Sequence, residues 1–218
     1  MLTKLRRWAL FNVVLWGGVF ALSGTWTSAV LWSFALGMAG LTFYAMTAVA
    51  PDLGNERFRP PTRGADATAL IWIRLTAFGA LVVGSLDGGR LHWSPPIPDA
   101  IRAAAMAGAL AAFAFCFRAM VANRFFSAVI RIQDDRGHRV VDSGPYALIR
   151  HPGYAGMITG VPLMAIGLGS WWGCAIGCAY SLLIGRRVMF EDRFLRANLP
   201  GYAEYAGRVR SRLVPGVW

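Results

Sequence analysis

The chain has 218 residues, of which 56% are hydrophobic and only 15% are charged, and its formal net charge is +11. A soluble domain of this size carries about 25% charged residues, so the composition excludes an ordinary soluble domain and indicates a membrane protein. The basic residues alternate with apolar runs instead of forming one soluble face. This argues against a nucleic-acid partner and favours anionic lipid headgroups and control of topology.

Four apolar runs come first, each close to the roughly 20 residues that one membrane crossing requires. They are residues 8–23, 29–50, 69–86 and 100–121. A basic segment at 123–152 follows, and then two shorter apolar runs at 154–168 and 171–184, joined by Gly169 and Ser170. We therefore predict an all-α polytopic integral membrane protein of about six membrane helices, the last two forming a short hairpin.

This pattern predicts two regions: residues 1–122 as four N-terminal transmembrane helices, and residues 123–218 as a catalytic region. The second region contains a loop, the hairpin and an amphipathic helical tail that begins at Arg186. If the N-terminus is cytoplasmic, almost all loop arginines and lysines fall on the cytoplasmic side, as the positive-inside rule requires. They are Lys4, Arg6, Arg7, Arg57, Arg59, Arg63, Arg124, Arg131, Arg136, Arg139, Arg150 and the arginines of the tail.

The resulting topology places both termini in the cytoplasm. Because the chain is rich in Ala, Arg and Gly, we expect a bacterial inner membrane. Arg74 and Arg118 lie inside apolar runs, and the expectation is that each extends to the cytoplasmic interface.

The stretch Gly144–Tyr154, GPYALIRHPGY, concentrates turn-forming, aromatic and basic residues between apolar runs. A hairpin that starts and ends on one side of the membrane returns the tail, with Glu191 and Asp192, to this loop. Such a site suits a zwitterionic ligand, with arginine facing its carboxylate and Glu191 facing its ammonium group. A plain ion-pair cluster that fastens the loop to the tail explains the same residues, and both interpretations stay open.

Several familiar sites are absent from the sequence. No Gly-rich strand-to-helix loop is present, which excludes a Rossmann site and a P-loop, and no GxSxG or HExxH occurs. His92, His138 and His151 lack the helical spacing of metal ligands, so no metal site is predicted.

Five short elements carry a resemblance to a known family. They are His138-Arg139-Val140, Gly144-Pro145-Tyr146, Arg150-His151-Pro152-x-Tyr154-x-Gly156, Glu191-Asp192 and Pro200-Gly201-Tyr202-x-x-Tyr205. Together they resemble the isoprenylcysteine carboxyl methyltransferase family, which is similar to phospholipid N-methyltransferases. The resemblance covers about residues 123–218. Asp192 stands where the family usually has Glu.

The resemblance implies a methyltransferase that binds S-adenosylmethionine in a non-Rossmann pocket formed by the cytoplasmic loop and the tail. Its cofactor-binding residues would be His138, Val140, Tyr146, Arg150, His151, Pro152, Tyr154 and Glu191. Its catalytic residues would be Arg150, Glu191, Asp192 and Arg208, where an arginine holds a substrate carboxylate or an acidic residue accepts a proton from an amine.

The methyl acceptor would be a lipid or another lipophilic small molecule from the bilayer. A prenylated cysteine, a phospholipid amine, a fatty acid and a small thiol all stay open as acceptors. Two other classes also remain: a membrane reductase of the sterol-reductase type that uses NADPH, and a non-catalytic membrane binding protein. The oligomeric state is left open.

Overall fold

The computed structural model describes residues 2–58, 60 and 64–218, with only the main chain at 55 and 58, so Arg59 and Arg63 lie outside the described residues. Within these ranges the fold is all α-helical and contains no strand. Its α-helices are α1 (Leu2–Ser23), α2 (Ala29–Ala48), α3 (Pro51–Phe58), α4 (Ala67–Leu86), α5 (Asp99–Ala122), α6 (Pro152–Leu168), α7 (Trp171–Asn198) and α8 (Tyr202–Arg208).

Five of the described helices are long and apolar enough to cross a membrane: α1, α2, α4, α5 and α7. A π-helical turn, Asp87–Leu91, extends the membrane-spanning segment of α4 to 25 residues. The sixth predicted crossing, α6, is apolar but has only 17 residues. The prediction of an all-α polytopic integral membrane protein is confirmed, with one of about six crossings shorter than the rest.

The second arm of the hairpin is not short. Helix α7 runs unbroken for 28 residues, about 42 Å at 1.5 Å per residue, so the predicted tail helix from Arg186 is its continuation. No proline interrupts the chain between Ile184 and Leu199, and Gly185 is tolerated inside a helix. The turn before α7 is formed as predicted, by Gly169 with φ +98° and by Ser170, whose Oγ accepts the Gly173 N–H at 2.8 Å.

Helices α5 and α6 pack closely because glycine lies where they cross. A Cβ at Gly156 would lie 2.4 Å from the carbonyl oxygen of Ala112 and 2.8 Å from Cβ of Cys116. Small residues at such a crossing let two membrane helices approach with full van der Waals contact. Helix α7 in turn packs against α4 and α6 around buried Ile73, Val161 and Ile184.

Two arginines cap helix ends: Arg90, in the predicted turn between the third and fourth apolar runs, and Arg102, near the start of the fourth run and of α5. Arg90 donates to the carbonyl oxygens of Leu22 (3.1 Å) and Ala21 (2.9 Å) at the end of α1. Arg102 donates to the carbonyl of Gly167 at 3.3 Å, at the end of α6. Cations are favoured at helix C-termini, and these contacts give both residues a structural role on this face of the molecule.

The opposite face, which we call the basic face, carries the segment between α5 and α6 and the chain after α7. Helix α3 lies on it, in a region that the sequence pattern predicted only as a loop. Its Glu56 is 4% exposed and pairs with Arg131 at 2.7 Å, while its Asp52 pairs with Arg136 at 2.8 Å. Helix α3 is thereby fastened to the segment that follows α5.

Candidate functional site

The carboxylate of Asp192 joins the loop to the chain around α7 and α8. Arg150 donates to it twice, from Nε to Oδ1 at 2.8 Å and from Nη2 to Oδ2 at 3.2 Å, and both side chains are 1% exposed. Tyr202 donates its hydroxyl at 3.1 Å, and Arg196 and Arg212 each donate Nε at 3.2 Å. The prediction that loop and tail meet is therefore confirmed.

Main-chain contacts complete this junction. Nη1 of Arg150 donates to the carbonyl oxygens of Val209 and Arg210, both at 2.6 Å. The Arg150 N–H donates to the Ser211 carbonyl at 3.0 Å. Tyr205 donates its hydroxyl to the carbonyl of Tyr146 at 2.7 Å. These bonds leave Arg150 with almost no spare donor for a ligand.

Beneath this junction lies a cavity of about 470 Å³ that opens on the basic face and extends between α4, α6 and α7. Its upper wall is polar and includes His138, Tyr146 and Glu191. Its lower wall is made of membrane-helix residues, which are Leu70, Ile73, Ala77, Met157, Tyr180 and Ile184. The cavity therefore offers a polar end and an apolar end to one ligand or to two adjacent ligands.

Seven of the eight residues expected to bind a cofactor line this cavity. They are His138, Val140, Tyr146, Arg150, His151, Tyr154 and Glu191. The eighth, Pro152, is buried as the first residue of α6 and is not on the wall. It sets the start of that helix, because its fixed φ suits the first helical position and its missing N–H is not needed there.

Glu191 has the one carboxylate on the described wall, and a hydrogen bond holds one of its two oxygens in place. The Tyr154 hydroxyl donates to Oε2 of Glu191 at 2.5 Å. The guanidinium of Arg187 lies 5.7 Å from the centre of the Tyr154 ring. Since Tyr154 engages only one of the two carboxylate oxygens, the other can accept a hydrogen bond from a cationic ligand group.

His138 is a neutral wall residue near physiological pH. Burial, assisted by the charge of nearby Arg131, lowers its pKa to about 4. Its Nδ1 accepts the Gln133 N–H at 3.3 Å, so the ring proton lies on Nε2, and the ring centre lies 4.7 Å from that of Phe125 with the two rings tilted by 37°. A neutral ring whose N–H donor has no partner among the described residues suits an aromatic or polar ligand group.

Two of the predicted catalytic residues do not reach the cavity. Asp192 is buried behind the wall in the junction with Arg150, and its oxygens are occupied by donors. Arg208, the last residue of α8, lies on the surface, where it pairs with Asp142 at 2.7 Å with both side chains more than half exposed. Asp192 and Arg208 therefore make contacts that hold the structure together. Of the two acidic residues predicted to be catalytic, Glu191 is the one that a ligand in the cavity can contact.

Sequence reasoning missed a group of arginines on the same wall. Arg187, inside α7, pairs with Asp66 at 3.0 Å and donates to the Ala128 carbonyl at 2.7 Å. Arg57 of α3 and Arg74 of α4 also line the cavity. An arginine within an apolar run is a signal of function in its own right, but the sequence interpretation treated Arg74 as an interfacial residue.

These features define a class: a polytopic α-helical membrane protein with one arginine-rich ligand cavity on its basic face, partly within the membrane helices. Comparisons with known proteins specify it further. Residues 104–197 match the model of the isoprenylcysteine carboxyl methyltransferase (ICMT) family. The match includes the loop Gly144–Tyr154 and Glu191–Asp192 but ends before Pro200. It confirms the resemblance that the sequence motifs indicated.

Two curated rice proteins, from Oryza sativa subsp. indica and subsp. japonica, are named probable protein-S-isoprenylcysteine O-methyltransferase. Each is 34% identical over 100 residues, covering 43% of this chain and 50% of the rice protein. The cobalt-zinc-cadmium resistance protein CzcN of Cupriavidus metallidurans is 34% identical over 82 residues, 35% of this chain and 36% of that protein. The chain thus matches half the length, or less, of these relatives.

Proposed function

We propose that this chain is an S-adenosylmethionine-dependent membrane methyltransferase that modifies a lipophilic acceptor taken from the bilayer. The proposal depends on one observation: a single cavity has a polar end, lined by Glu191 and His138, and an apolar end that lies between membrane helices. The family match over residues 104–197 supports the reaction class. A cytoplasmic position for the basic face remains part of the proposal, supported by its arginine content.

The residues present fit the cofactor. A volume of about 470 Å³ lies within the roughly 300–1,000 Å³ typical of small-ligand sites. Glu191 has one carboxylate oxygen available for an ammonium group, and Phe125 with His138 offers aromatic surface. When bound, S-adenosylmethionine supplies a methyl group on a sulfonium, which passes to the acceptor's nucleophilic atom as the carbon–sulfur bond breaks and its electrons stay on sulfur.

The chain's own contribution is alignment and exclusion of water. The Arg150–Asp192 junction bounds the cavity on the tail side, and α3, paired with Arg131 through Glu56, bounds it beside the basic segment. Holding two reactants in line in a dry site accounts for several kcal/mol of rate enhancement, with about 7–11 kcal/mol as the limit for ideal positioning. A carboxylate acceptor needs no base, whereas Glu191 is placed to accept the proton of an amine acceptor.

Cofactor binding can be tested by titration calorimetry in detergent with Glu191→Gln. We expect affinity for S-adenosylmethionine to fall by about tenfold or more, because a charge-assisted hydrogen bond contributes roughly 1.5–3 kcal/mol. Glu204→Gln is the matched control, since Glu204 is exposed on α8 and is not on the cavity wall. Equal affinity in the two variants would contradict the assignment of Glu191.

Reaction class is tested separately with membranes that contain the wild-type chain. Transfer of tritium from methyl-labelled S-adenosylmethionine into the lipid extract supports a methyltransferase. Oxidation of NADPH without methyl transfer would instead support the reductase. Mass spectrometry of lipids from cells with and without the gene then identifies the acceptor by the loss of one methylene unit from its mass.

A further inference from the structure

The arginines of the cavity wall differ in whether a carboxylate compensates them. Three are paired with acidic residues: Arg131 with Glu56 at 2.7 Å, Arg150 with Asp192 at 2.8 Å, and Arg187 with Asp66 at 3.0 Å. Arg57, Arg74 and Arg139 have no carboxylate partner among the described residues. Glu191 is the one acidic residue on the described wall. The cavity therefore carries an excess of positive charge.

Arg74 lies within the membrane part of this wall. It is seven residues inside α4, about 10 Å from the helix start on the basic face. Its neighbours on the helix surface, Ile71 and Phe78, are 58% and 65% exposed on the protein, as expected of residues that face lipid. Arg74 is itself exposed, yet it lines the cavity together with Ile73 and Ala77. It thus lies where the cavity meets the lipid-facing surface.

No hydrogen bond or ion pair engages the Arg74 side chain within the described part of the chain. Arg57, farther inside, makes only one long hydrogen bond, from Nη1 to the Phe126 carbonyl at 3.4 Å, and lies 5.1 Å from the centre of the Phe126 ring. A charged side chain within an apolar helix is costly unless it finds a partner, and such residues mark substrate pathways. Both arginines are therefore available to an anionic ligand.

The proposed cofactor does not balance this excess of positive charge, even where its single carboxylate engages an arginine. S-adenosylmethionine carries a sulfonium and an ammonium group against one carboxylate, so its binding adds positive charge to a wall that already has an excess. A second ligand that brings a negative charge balances the site, and the apolar residues next to Arg74 require that this ligand also bring a hydrocarbon chain.

We infer that Arg74, supported by Arg57, forms a subsite that binds the anionic headgroup of a membrane amphiphile entering the cavity from the bilayer between α4 and its neighbours. This inference rests on the proposed function, because it takes the amphiphile to be the methyl acceptor. A carboxylate or a phosphate headgroup satisfies the chemistry, and Arg74 is then a residue that determines substrate specificity.

The test uses the full chain in nanodiscs of phosphatidylcholine, which has no net charge. Three tritiated probes share one sixteen-carbon chain: palmitate, 1-palmitoyl lysophosphatidate and hexadecylamine. At about pH 8.5 the carboxylic acid is ionised and the amine is cationic. We expect saturable binding of at least one anionic probe, and the two anionic probes distinguish carboxylate from phosphate recognition.

The variants are Arg74→Gln and Arg74→Lys, with Arg118→Gln as the matched control. Arg118 is an exposed arginine four residues, about 6 Å, from the end of α5 on the same face, and it is not on the cavity wall. Arg74→Gln should weaken anionic-probe binding by about tenfold or more, Arg74→Lys should retain part of it, and Arg118→Gln should change it less than about twofold. Size-exclusion chromatography verifies that each variant is folded.

Three results would overturn the inference. Hexadecylamine could bind with the same affinity as the anionic probes, or Arg74→Gln and Arg118→Gln could lose equal amounts of anionic-probe binding. The third result is displacement of the anionic probe by an equal concentration of acetate or inorganic phosphate. The last result would assign the subsite to a soluble anion. Calorimetry with S-adenosylmethionine separates the two proposals. If wild-type chain binds the cofactor but neither anionic probe, the subsite fails and the methyltransferase stands; if it binds no cofactor, the proposed function fails.

Discussion

Asp192→Asn should detach the chain after α7 from the loop that holds the cavity wall. The substitution keeps the size of the side chain but removes the charge that Arg150, Arg196 and Arg212 share. Arg150 would then be a buried cation without a compensating anion, because its side chain is 1% exposed. The remaining carbonyl contacts of Arg150 do not neutralise it.

The expected loss follows from that burial. Breaking a buried ion pair by removing one partner costs about 3–5 kcal/mol, since an uncompensated charge stays in the interior. Arg196 and Arg212 add little, because 41% and 33% of their side chains are exposed. The matched control is Asp142→Asn, which breaks the exposed pair with Arg208 and should cost less than about 1 kcal/mol.

Thermal unfolding in detergent, followed by tryptophan fluorescence, measures the stability of both variants. Hydrogen exchange should localise the loss to residues 209–218 and to the loop around Arg150, because these segments hold each other through main-chain bonds. If Asp192→Asn proves no less stable than Asp142→Asn, the junction does not depend on this charge and the reasoning is refuted. In the double variant with Arg150→Met, the loss should be smaller than the sum of the single losses.

Two further predictions concern packing and pH. Gly156→Ala should destabilise the protein by roughly 1–3 kcal/mol, because the new Cβ would collide with α5. The control Gly185→Ala, where the new Cβ meets open space, should stabilise the protein by up to about 1 kcal/mol. Equal effects of the two substitutions on the melting temperature would contradict the close α5–α6 crossing. The pKa of His138 is lowered to about 4 in the folded chain, against about 6.5 for an exposed histidine. The unfolded chain therefore binds more protons between these values, so stability present above pH 6.5 is lost as the pH falls toward 4. His138→Gln should flatten this loss in melting curves between about pH 7 and 5; an unchanged slope would contradict the burial of the ring.

Some of the site was predictable because the relevant signals are local in sequence. Gly169 and Ser170 between two apolar runs indicate a tight turn, and a tight turn between two helices returns the chain to the face from which it came. That geometry alone brings Glu191 and Asp192 to the loop of Arg150. The two acidic residues nevertheless differ in role, because adjacent positions on a helix point about 100° apart: Glu191 faces the cavity and Asp192 faces Arg150.

The partners of the buried arginines were not predictable, because each pair joins residues distant in sequence. Arg187 is 121 positions from Asp66, and Arg131 is 75 positions from Glu56. Nothing in the local pattern distinguishes Arg187, which pairs with a carboxylate, from Arg74, which pairs with none in the described part of the chain. Helix α3 was missed for a related reason: its eight residues have low hydrophobicity, and its position depends on the ion pairs of Asp52 and Glu56 with the basic segment.

These pairings bear on how the two predicted regions cooperate. The family match begins at residue 104, yet the carboxylates that compensate Arg131 and Arg187 come from Glu56 and Asp66, before that point. Without them, two more uncompensated arginines would face the cavity, and a cationic cofactor would bind less well. The N-terminal helices therefore do more than anchor the chain in the membrane: their connecting segment sets the charge of the cavity, and α4 supplies the arginine that faces the bilayer. A fragment that starts at residue 104 should accordingly fail to bind S-adenosylmethionine even where it retains Glu191 and the Arg150–Asp192 junction.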